Sequence, residues 1–345
     1  MQWACRNWFA AFCLEGLFLL LLFHSQTSAE QGIFGIGTKT LGGRFTFSDE
    51  AVYQGWRVQK SAVVGHYRLL TPDDRRHTFG TLEHCLETLE KIKIEKSLPP
   101  MPKEVVIVVH GLGASRQWMD SLSEYLSEDG GLSVVNVGYP STMNDIGEHA
   151  NSLTSVIQHL EGVEKVNFVA HSMGNIVIRH CLNDLASLPV SVQPKITYGR
   201  FVMMAPPNHG AVAANKLADN KLAQMFGGEA VQQLAPDVGW PTLEQRLATP
   251  AFEFGIIVGG RGDGEGYLAT IPGDDDMLLS VETSKLSGAS DFVQVKGIHQ
   301  TLPKNKQVQQ YALRYLQTGA FLPSGRRYPI ESPQDPEPPR ASSSQ

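Results

Sequence analysis

The sequence lacks the features that mark several classes of protein. Its 29 lysine and arginine residues stand against 35 aspartate and glutamate residues, for a formal net charge of -6, and no long basic run is present. Proteins that bind phosphate backbones cluster positive charge on one surface, so nucleic acid is not expected as a partner. No internal repeat is visible, and the four cysteines have no metal-ligand spacing. Neither a metal nor another cofactor is therefore expected.

Long hydrophobic runs are also scarce. The apolar run Gly16–Phe23 is well short of the roughly 20 residues that a membrane-spanning helix needs. Arg6 precedes this run and the small residues Thr27–Ala29 follow it, which is the order of a signal peptide over residues 1–29. The sequence therefore predicts an exported protein, secreted or periplasmic. Glu15 interrupts the apolar region, which leaves an uncleaved membrane anchor as the alternative.

Two cysteines, Cys85 and Cys181, lie beyond the predicted signal peptide. A disulfide between them is permitted in an exported protein, whereas cysteines this far apart in sequence are also commonly separate buried thiols. Both interpretations remain open at this point.

From Glu104 onward, short and almost wholly apolar runs alternate with segments of helical periodicity. Continuous apolar runs indicate strands that are buried on both faces of a sheet. Such alternation predicts an α/β fold with a doubly wound, mainly parallel sheet and crossover helices on both sides. The predicted strands are Val105–Val109, Leu132–Val137, Val166–Ala170, Phe201–Met204, Phe254–Val258 and Phe292–Val295, and the predicted helices are 82–94, 116–128, 145–161, 175–187 and 305–317.

Three segments stand outside this alternation. Alternating stretches at Gly43–Phe47 and Ala62–Leu70 predict short antiparallel strands before the main sheet. Residues 208–250 are long for a link between a strand and a helix and predict a small helical lid insertion. Residues 323–345 carry six prolines among Ser, Arg and Glu, and this composition predicts disorder. The folded domain is therefore expected to span residues 31–322.

The segment Val166–Asn175 places a serine between small residues, where a predicted strand turns directly into a predicted helix. Such a turn forces the serine into a strained backbone conformation, and the residues two before and two after it must be small. Ala170 and Gly174 meet this demand. Ser172 is therefore predicted to be a nucleophile, placed where the start of a helix favours developing negative charge.

The motif Ala170-His-Ser-Met-Gly174 resembles the nucleophile elbow of lipases in the α/β-hydrolase superfamily, and the resemblance covers residues 104–317. In that fold the triad runs Ser, then Asp or Glu, then His, with the His just beyond the last strand. Three histidines follow the serine in this chain. His180 falls on the next helix, and His209 lies in a turn that resembles a structural or lid-associated turn of lipases. His299 follows the last predicted strand and is therefore the predicted base.

The carboxylate that would fix the tautomer of this histidine is open among four residues. The stretch Gly273–Val281 resembles the family segment Asp-Asp-Gly-Val-Val-Ser-Val, and the resemblance implies that Asp276 is the acid. Met277 stands where the family usually has glycine. This departure leaves alternatives, which are Asp263, Asp274 and Asp275.

An oxyanion hole needs two backbone N–H groups directed at the developing negative charge. Met173 directly follows the nucleophile and supplies one of them. The loop His110-Gly-Leu-Gly113 after the first core strand has the His-Gly form of lipases, and the resemblance implies Leu112 as the second donor. His110 itself is interpreted as structural rather than as a base.

Together these residues predict a serine hydrolase of the lipase or esterase type, which cleaves carboxylic esters through an acyl-enzyme. A small-molecule or lipid ester is the expected substrate. The resemblance to lipases and the predicted lid favour a lipid-like acyl chain and contact with a membrane or lipid surface. Two alternatives share the fold: an acyltransferase with the same triad, and a non-catalytic lipid-binding relative.

Overall fold

The computed structural model describes residues 39–218 and 221–331. The predicted signal peptide lies outside these residues, as does the segment 332–345 of the predicted disordered tail. Among the helices of the described ranges, none combines the length and the apolar character that crossing a membrane requires.

Four antiparallel strands form a small sheet that precedes the main one, and a helix follows them. They are β1 (Phe47–Tyr53), β2 (Trp56–Ser61), β3 (Tyr67–Leu70), β4 (Arg76–Gly80) and helix α1 (Leu82–Glu95). The expectation of short antiparallel strands here is confirmed, and β3 lies within the predicted stretch Ala62–Leu70, but the first part of each predicted stretch is wrong. Residues 42–46 and 62–64 form turns rather than strands. Gly43 and Gly65 have φ values of 86° and 70°, a conformation that ends an extended chain.

Six further strands form one sheet in which all neighbours are parallel. They are β5 (Glu104–Val109), β6 (Val134–Val137), β7 (Lys165–His171), β8 (Thr197–Met204), β9 (Phe254–Gly260) and β10 (Asp291–Lys296), in the spatial order β10-β9-β8-β7-β5-β6. The helices are α2 (Asp120–Glu128), α3 (Ile146–Gln158), α4 (Met173–Ser187), α5 (Val212–Ala218), α6 (Lys221–Leu234), α7 (Trp240–Glu244) and α8 (Lys306–Thr318), with short 3-10 helices at Arg116–Met119, Val190–Val192, Glu282–Ser284 and His299–Lys304.

Strand β5 shows how the sheet is buried on both faces. Its odd-numbered side chains, Val105, Ile107 and Val109, belong to one hydrophobic cluster, and Val106 and Val108 belong to another, because successive side chains of a strand point to opposite faces. Helices α3 and α4 cover the first face, and helices α2 and α8 cover the second. The α/β fold expected from the sequence, a doubly wound parallel sheet with helices on both faces, is confirmed.

The strand order determines where a site can form. From β5 the chain proceeds to β6 on one side and then returns to β7 on the other side. In parallel sheets, a crevice opens beyond the carboxyl ends of the two strands at such a reversal. Here those ends are His110 after β5 and Ser172 after β7.

The predicted lid region, 208–250, contains helices α5, α6 and α7 between β8 and β9. Helix α6 is interrupted at Gly228, which has φ 62° and ψ -166°. Both ends of the region are held by one buried side chain of α4, because Arg179 donates to Asn208 Oδ1 (3.0 Å) and to the carbonyl of Ala248 (2.9 Å). The helical insertion is thus present, and its role as a lid stays a prediction.

The last described residues do not match the disorder predicted for residues 323–345. The backbone N–H of Ile330 donates to the carbonyl of Ala289 (2.9 Å), and the N–H of Tyr328 donates to Asp291 Oδ1 (2.8 Å). These bonds hold this part of the segment against the end of the sheet. Elsewhere in the core, Cys85 and Cys181 are buried and unpaired.

The small sheet docks on the main sheet through buried polar groups of β1. Asp49 accepts hydrogen bonds from Arg57 (2.5 Å), from Gln59 (2.7 Å) and from the N–H of Gly138 beyond β6 (2.8 Å). The neighbouring Glu50 accepts a hydrogen bond from the Ser152 hydroxyl of α3 (3.1 Å). Burial raises the pKa of Glu50, an effect that the Ser152 and Ser155 hydroxyls partly offset.

The sign of this shift predicts that Glu50→Gln stabilises the protein at neutral pH. A carboxyl whose pKa is raised on folding holds its proton better in the native state, so its ionised form costs stability once the pH exceeds the unfolded value. Glutamine keeps an oxygen for Ser152 and carries no charge. We expect the melting temperature at pH 7 to rise by a few degrees, the response to about 1 kcal/mol, and the gain to shrink towards pH 4.

Calorimetry across this pH range measures the effect. Glu124→Gln on the exposed face of α2 removes the same charge without burial and serves as the control, with no pH-dependent gain expected. A Glu50→Gln protein that melts below the wild type at pH 7 would contradict the assignment of burial as the dominant cause.

Candidate active site

Ser172 occupies the junction of β7 and α4 in a backbone conformation that few non-glycine residues adopt, with φ 55° and ψ -130°. Its N–H donates to the carbonyl of Met204 at the end of β8 (2.9 Å), so the neighbouring strand holds the turn in place. The carbonyl of Ser172 accepts from the side-chain amide of Asn175 (2.8 Å). Ser172 itself is half-buried.

The small residues around this serine have a steric reason. A Cβ atom on Gly174 would lie 2.5 Å from the carbonyl oxygen of His110 and 2.7 Å from that of Val109, both in the backbone after β5. Ala170 is fully buried within the sheet. The start of α4 therefore packs directly against the loop that follows β5.

His299 and Asp276 approach Ser172 from the loops that follow β10 and β9. The Nε2 atom of His299 lies 2.8 Å from Ser172 Oγ, and its Nδ1 atom lies 2.7 Å from Asp276 Oδ2. Both side chains are almost fully buried, with 3% and 2% of their surface exposed. With Nδ1–H donating to the carboxylate, Nε2 is left to accept the proton of the serine hydroxyl.

The carboxylate of Asp276 is fixed on both oxygens. Its Oδ1 accepts the N–H groups of Leu278 (3.0 Å) and Leu279 (2.8 Å), while Oδ2 faces His299. The backbone N–H of His299 also donates to the carbonyl of Asp276 (2.8 Å). Asp276 and His299 are thus connected through their side chains and through their main chains.

The other three candidate acids brace the same loop. Asp274 accepts the N–H groups of Arg261 and Gly262 (both 2.7 Å), and Asp275 accepts those of Leu268 (3.0 Å) and Met277 (2.7 Å). Asp263 is exposed and pairs with the Arg261 side chain (2.6 Å). The structure therefore brings Asp276, of the four, against His299.

Met277 adopts φ 78°, a conformation that glycine reaches without strain. Glycine, the residue that the resembled segment has here, would therefore fit this backbone geometry. With methionine at this position, Asp276 still contacts His299.

The predicted oxyanion donors lie on the two elements that meet at Ser172. Met173 is the first residue of α4, and Leu112 lies in the loop after β5. Gly111 in that loop contacts the serine so closely that a Cβ atom on it would lie 2.8 Å from Ser172 Cβ. The loop that carries Leu112 therefore borders the hydroxyl, and the donor roles of both residues stay predictions.

Sequence reasoning missed His171, which directly precedes the serine. Its Nε2–H donates to the carbonyl of His299 (2.9 Å), and the two rings pack with centroids 4.8 Å apart. Burial, followed by the proximity of His299, places the pKa of His171 well below its ordinary value. His171 is thus a neutral donor that connects the strand before Ser172 to the loop of His299. The sequence signal that could have indicated His171 is its position within the motif Ala170-His-Ser-Met-Gly174.

The remaining histidines after the serine have other partners. His180 on α4 is buried and its Nδ1 lies 2.8 Å from Asp184 Oδ2. His209 is exposed, and its backbone N–H donates to the carbonyl of Thr283 (3.1 Å). Across residues 39–218 and 221–331, no group of three His, Cys, Asp or Glu side chains is arranged to hold a metal ion.

The comparisons with known proteins give one family and several solved structures. A family model described as "Putative serine esterase (DUF676)" matches residues 100–227, a range that includes Leu112 and Ser172 and ends before Asp276 and His299. No curated protein matches the chain in sequence.

Three similar structures share 14–18% sequence identity with this chain. The product of the gene lin2722 from Listeria innocua has a TM-score of 0.46 at 14% identity, over 63% of this chain and 94% of the other. The Bacillus licheniformis lipase BlEst2 in propeptide form has a TM-score of 0.45 at 18% identity, over 59% of this chain and 48% of the lipase. Phospholipase PlaB from Legionella pneumophila has a TM-score of 0.45 at 16% identity, over 62% of this chain and 60% of the phospholipase. The chain thus spans about half the length of this lipase and 60% of this phospholipase.

The contact at Gly174 predicts that even one methyl group is not tolerated there. In Gly174→Ala the new Cβ would meet two backbone carbonyls, which can yield only if β5 or α4 shifts, so we expect the free energy of unfolding to fall by about 1–3 kcal/mol. Urea denaturation measures this change.

Gly147→Ala is the matched control, because Gly147 is likewise the second residue of a buried helix, α3. A Cβ atom there would lie 3.3 Å or more from its neighbours, so its stability should stay near that of the wild type or rise. Equal effects of the two substitutions would refute the steric explanation.

Proposed function

We propose that the chain is a serine hydrolase that cleaves carboxylic esters, with Ser172, His299 and Asp276 as its catalytic triad. The proposal is carried by one observation, the continuous hydrogen-bonded path from Asp276 Oδ2 through both ring nitrogens of His299 to Ser172 Oγ. The match of residues 100–227 to a family described as a serine esterase supports it.

In the first step, Ser172 Oγ forms a bond to the carbonyl carbon of the ester while His299 Nε2 takes the hydroxyl proton. The carboxylate of Asp276 stays ionised, keeps the proton of the ring on Nδ1 and stabilises the imidazolium that forms. The carbonyl oxygen becomes negative. In this proposal the N–H groups of Leu112 and Met173 stabilise that oxygen.

The next steps return the site to its starting state. His299 gives its proton to the alkoxide, the carbon–oxygen bond of the ester breaks, and the alcohol leaves an acyl group on Ser172. Water then attacks this acyl-enzyme while His299 takes one of its protons. Collapse of the second tetrahedral intermediate breaks the bond to Ser172, whose oxygen regains the proton, and the carboxylic acid leaves.

The proposed substrate is a lipid or small-molecule ester with a lipid-like acyl group. We further propose that the protein is exported and binds this substrate at a lipid surface. The helical insertion α5–α7 supports the acyl preference, since it adds a structure that could cover an apolar chain. The signal-like sequence at 1–29 supports export. Within the described residues, Val212 and Val238 of the predicted lid region and Met143 of the loop after β6 are exposed hydrophobic side chains.

Substitution of the triad provides the test. With p-nitrophenyl esters of increasing acyl length, we expect Ser172→Ala and His299→Ala to lower kcat/KM by about 10⁴-fold or more, and Asp276→Asn to have an effect of similar order. A fluorophosphonate should label Ser172 in the wild type and not in Ser172→Ala.

His180→Gln is the control for this series. His180 is also a buried histidine paired with a carboxylate, that of Asp184, but it lies two turns along α4 from the serine. Its replacement should leave kcat/KM within a few-fold of the wild type. Near-normal rates in Ser172→Ala or His299→Ala would refute the proposal.

The same preparations separate the two alternatives. An acyltransferase would pass the acyl group to an added alcohol in preference to water, which product analysis shows directly. A non-catalytic lipid-binding relative would bind acyl chains without turnover and without fluorophosphonate labelling. We expect hydrolysis to dominate over both outcomes.

A further inference from the structure

The two peptide groups that precede Leu112 are held by a pair of stacked aromatic side chains. The hydroxyl of Tyr139, beyond β6, donates to the carbonyl of His110 (2.6 Å). The Nδ1–H of His110 donates to the carbonyl of Gly111 (2.9 Å), which also accepts the N–H of Ala114 (3.3 Å). Both carbonyls of this short stretch are therefore fixed by neighbours.

Fixing a carbonyl also fixes the N–H of the same peptide group. In a trans peptide the C=O and the following N–H lie in one plane and point in opposite directions. The carbonyl of Gly111 points towards the ring of His110, so the N–H of Leu112 points away from that ring. A Cβ atom on Gly111 would lie 2.8 Å from Ser172 Cβ, so this stretch of backbone lies directly beside the serine.

The imidazole can play this role only as a neutral ring. It donates from Nδ1, and its Nε2 faces the N–H of Tyr139 at 3.4 Å and so accepts. The ring is fully buried and stacked on Tyr139, with centroids 4.2 Å apart and planes 8° from parallel. Burial lowers the pKa of His110 to about 4, so the ring keeps this state at neutral pH.

We propose that Tyr139 and His110 are positioning residues for the oxyanion loop: together they hold the peptide groups 110–111 and 111–112 so that Leu112 N–H faces an ester oxygen at Ser172. The inference rests on the proposed function. It assigns to His110 a specific task beyond filling space, and it brings in Tyr139, which lies in a different loop and outside every motif of the sequence.

Tyr139→Phe is the decisive variant, because it keeps the ring and the stack and removes only the hydroxyl. We expect kcat for an ester to fall about tenfold, a fraction of the 10²–10³ lost when an oxyanion donor is removed altogether, while KM changes less than twofold. Fluorophosphonate titration of the reactive serine counts the folded, competent molecules, so the rates refer to intact sites.

The second substrate is the matching thionoester, in which sulfur replaces the carbonyl oxygen of the ester. A loss of stability alone would lower the rates for both substrates equally and leave their ratio unchanged. Sulfur accepts hydrogen bonds weakly, so the thionoester gains little from the oxyanion donors. The ratio of kcat/KM for the ester to that for the thionoester should therefore fall several-fold in Tyr139→Phe. For the imidazole, His110→Asn retains a donor near the Nδ1 position and should keep more of the wild-type ratio than His110→Leu.

Tyr315→Phe is the matched control. Tyr315 is also buried and stacked, on Phe321 with centroids 4.6 Å apart, and its hydroxyl bonds to Ser290 Oγ (2.5 Å) on the far side of the sheet. Its removal should lower stability and leave the ratio unchanged. Equal losses for ester and thionoester in Tyr139→Phe, or the same fall in the ratio in Tyr315→Phe, would overturn the inference.

The failure of the proposed function is a separate result. It would show as turnover that persists in Ser172→Ala, whereas the positioning role fails when Ser172→Ala is inactive and Tyr139→Phe keeps the wild-type ratio.

Discussion

The site depends on the close approach of α4 to the end of β5. At Gly174 the backbone of the helix lies so near the carbonyls of Val109 and His110 that no side chain fits between them. This contact places Ser172 beside Gly111, which lies 61 positions earlier in the sequence, and brings their two segments into one surface. A parallel sheet makes the contact available, because β5 and β7 are neighbours and their carboxyl ends meet at the same edge.

The second constraint is on the position of His299 relative to Ser172. The loop of His299 is held by its own backbone: its N–H donates to Asp276, and its carbonyl accepts from His171. Since His171 and Ser172 are adjacent in the chain, any displacement of His299 relative to Ser172 would strain a buried hydrogen bond. The short distance between His299 Nε2 and Ser172 Oγ therefore depends on these backbone hydrogen bonds as well as on the rotamers of the two side chains.

The sequence predicted the parallel sheet and Ser172 because both leave local signals, namely apolar runs of strand length and small residues at fixed offsets from a serine. His299 could be placed because chain order limits where a base can lie. Asp276 was separated from Asp274 and Asp275 only by resemblance, since three adjacent carboxylates look alike until the turn at Met277 is known. Tyr139 left no signal, because its partner His110 is 29 positions away in sequence and their contact arises only when β6 lies beside β5.

Three of the six non-glycine residues with positive φ in the described part of the chain lie in the loops around this site. Ser172, Ala205 and Met277 are non-glycine residues with φ values of 55°, 42° and 78°, and they lie in the loops that follow β7, β8 and β9. Such conformations cost about 1–3 kcal/mol each and persist only where the surroundings over-determine them. The N–H of Ser172 is bonded to the carbonyl of Met204, and that of Ala205 to the carbonyl of Ile257. Ser172 and Ala205 are thus each tied to the next strand, so the strain at Ser172 is sustained by a hydrogen bond that relaxation of the turn would break.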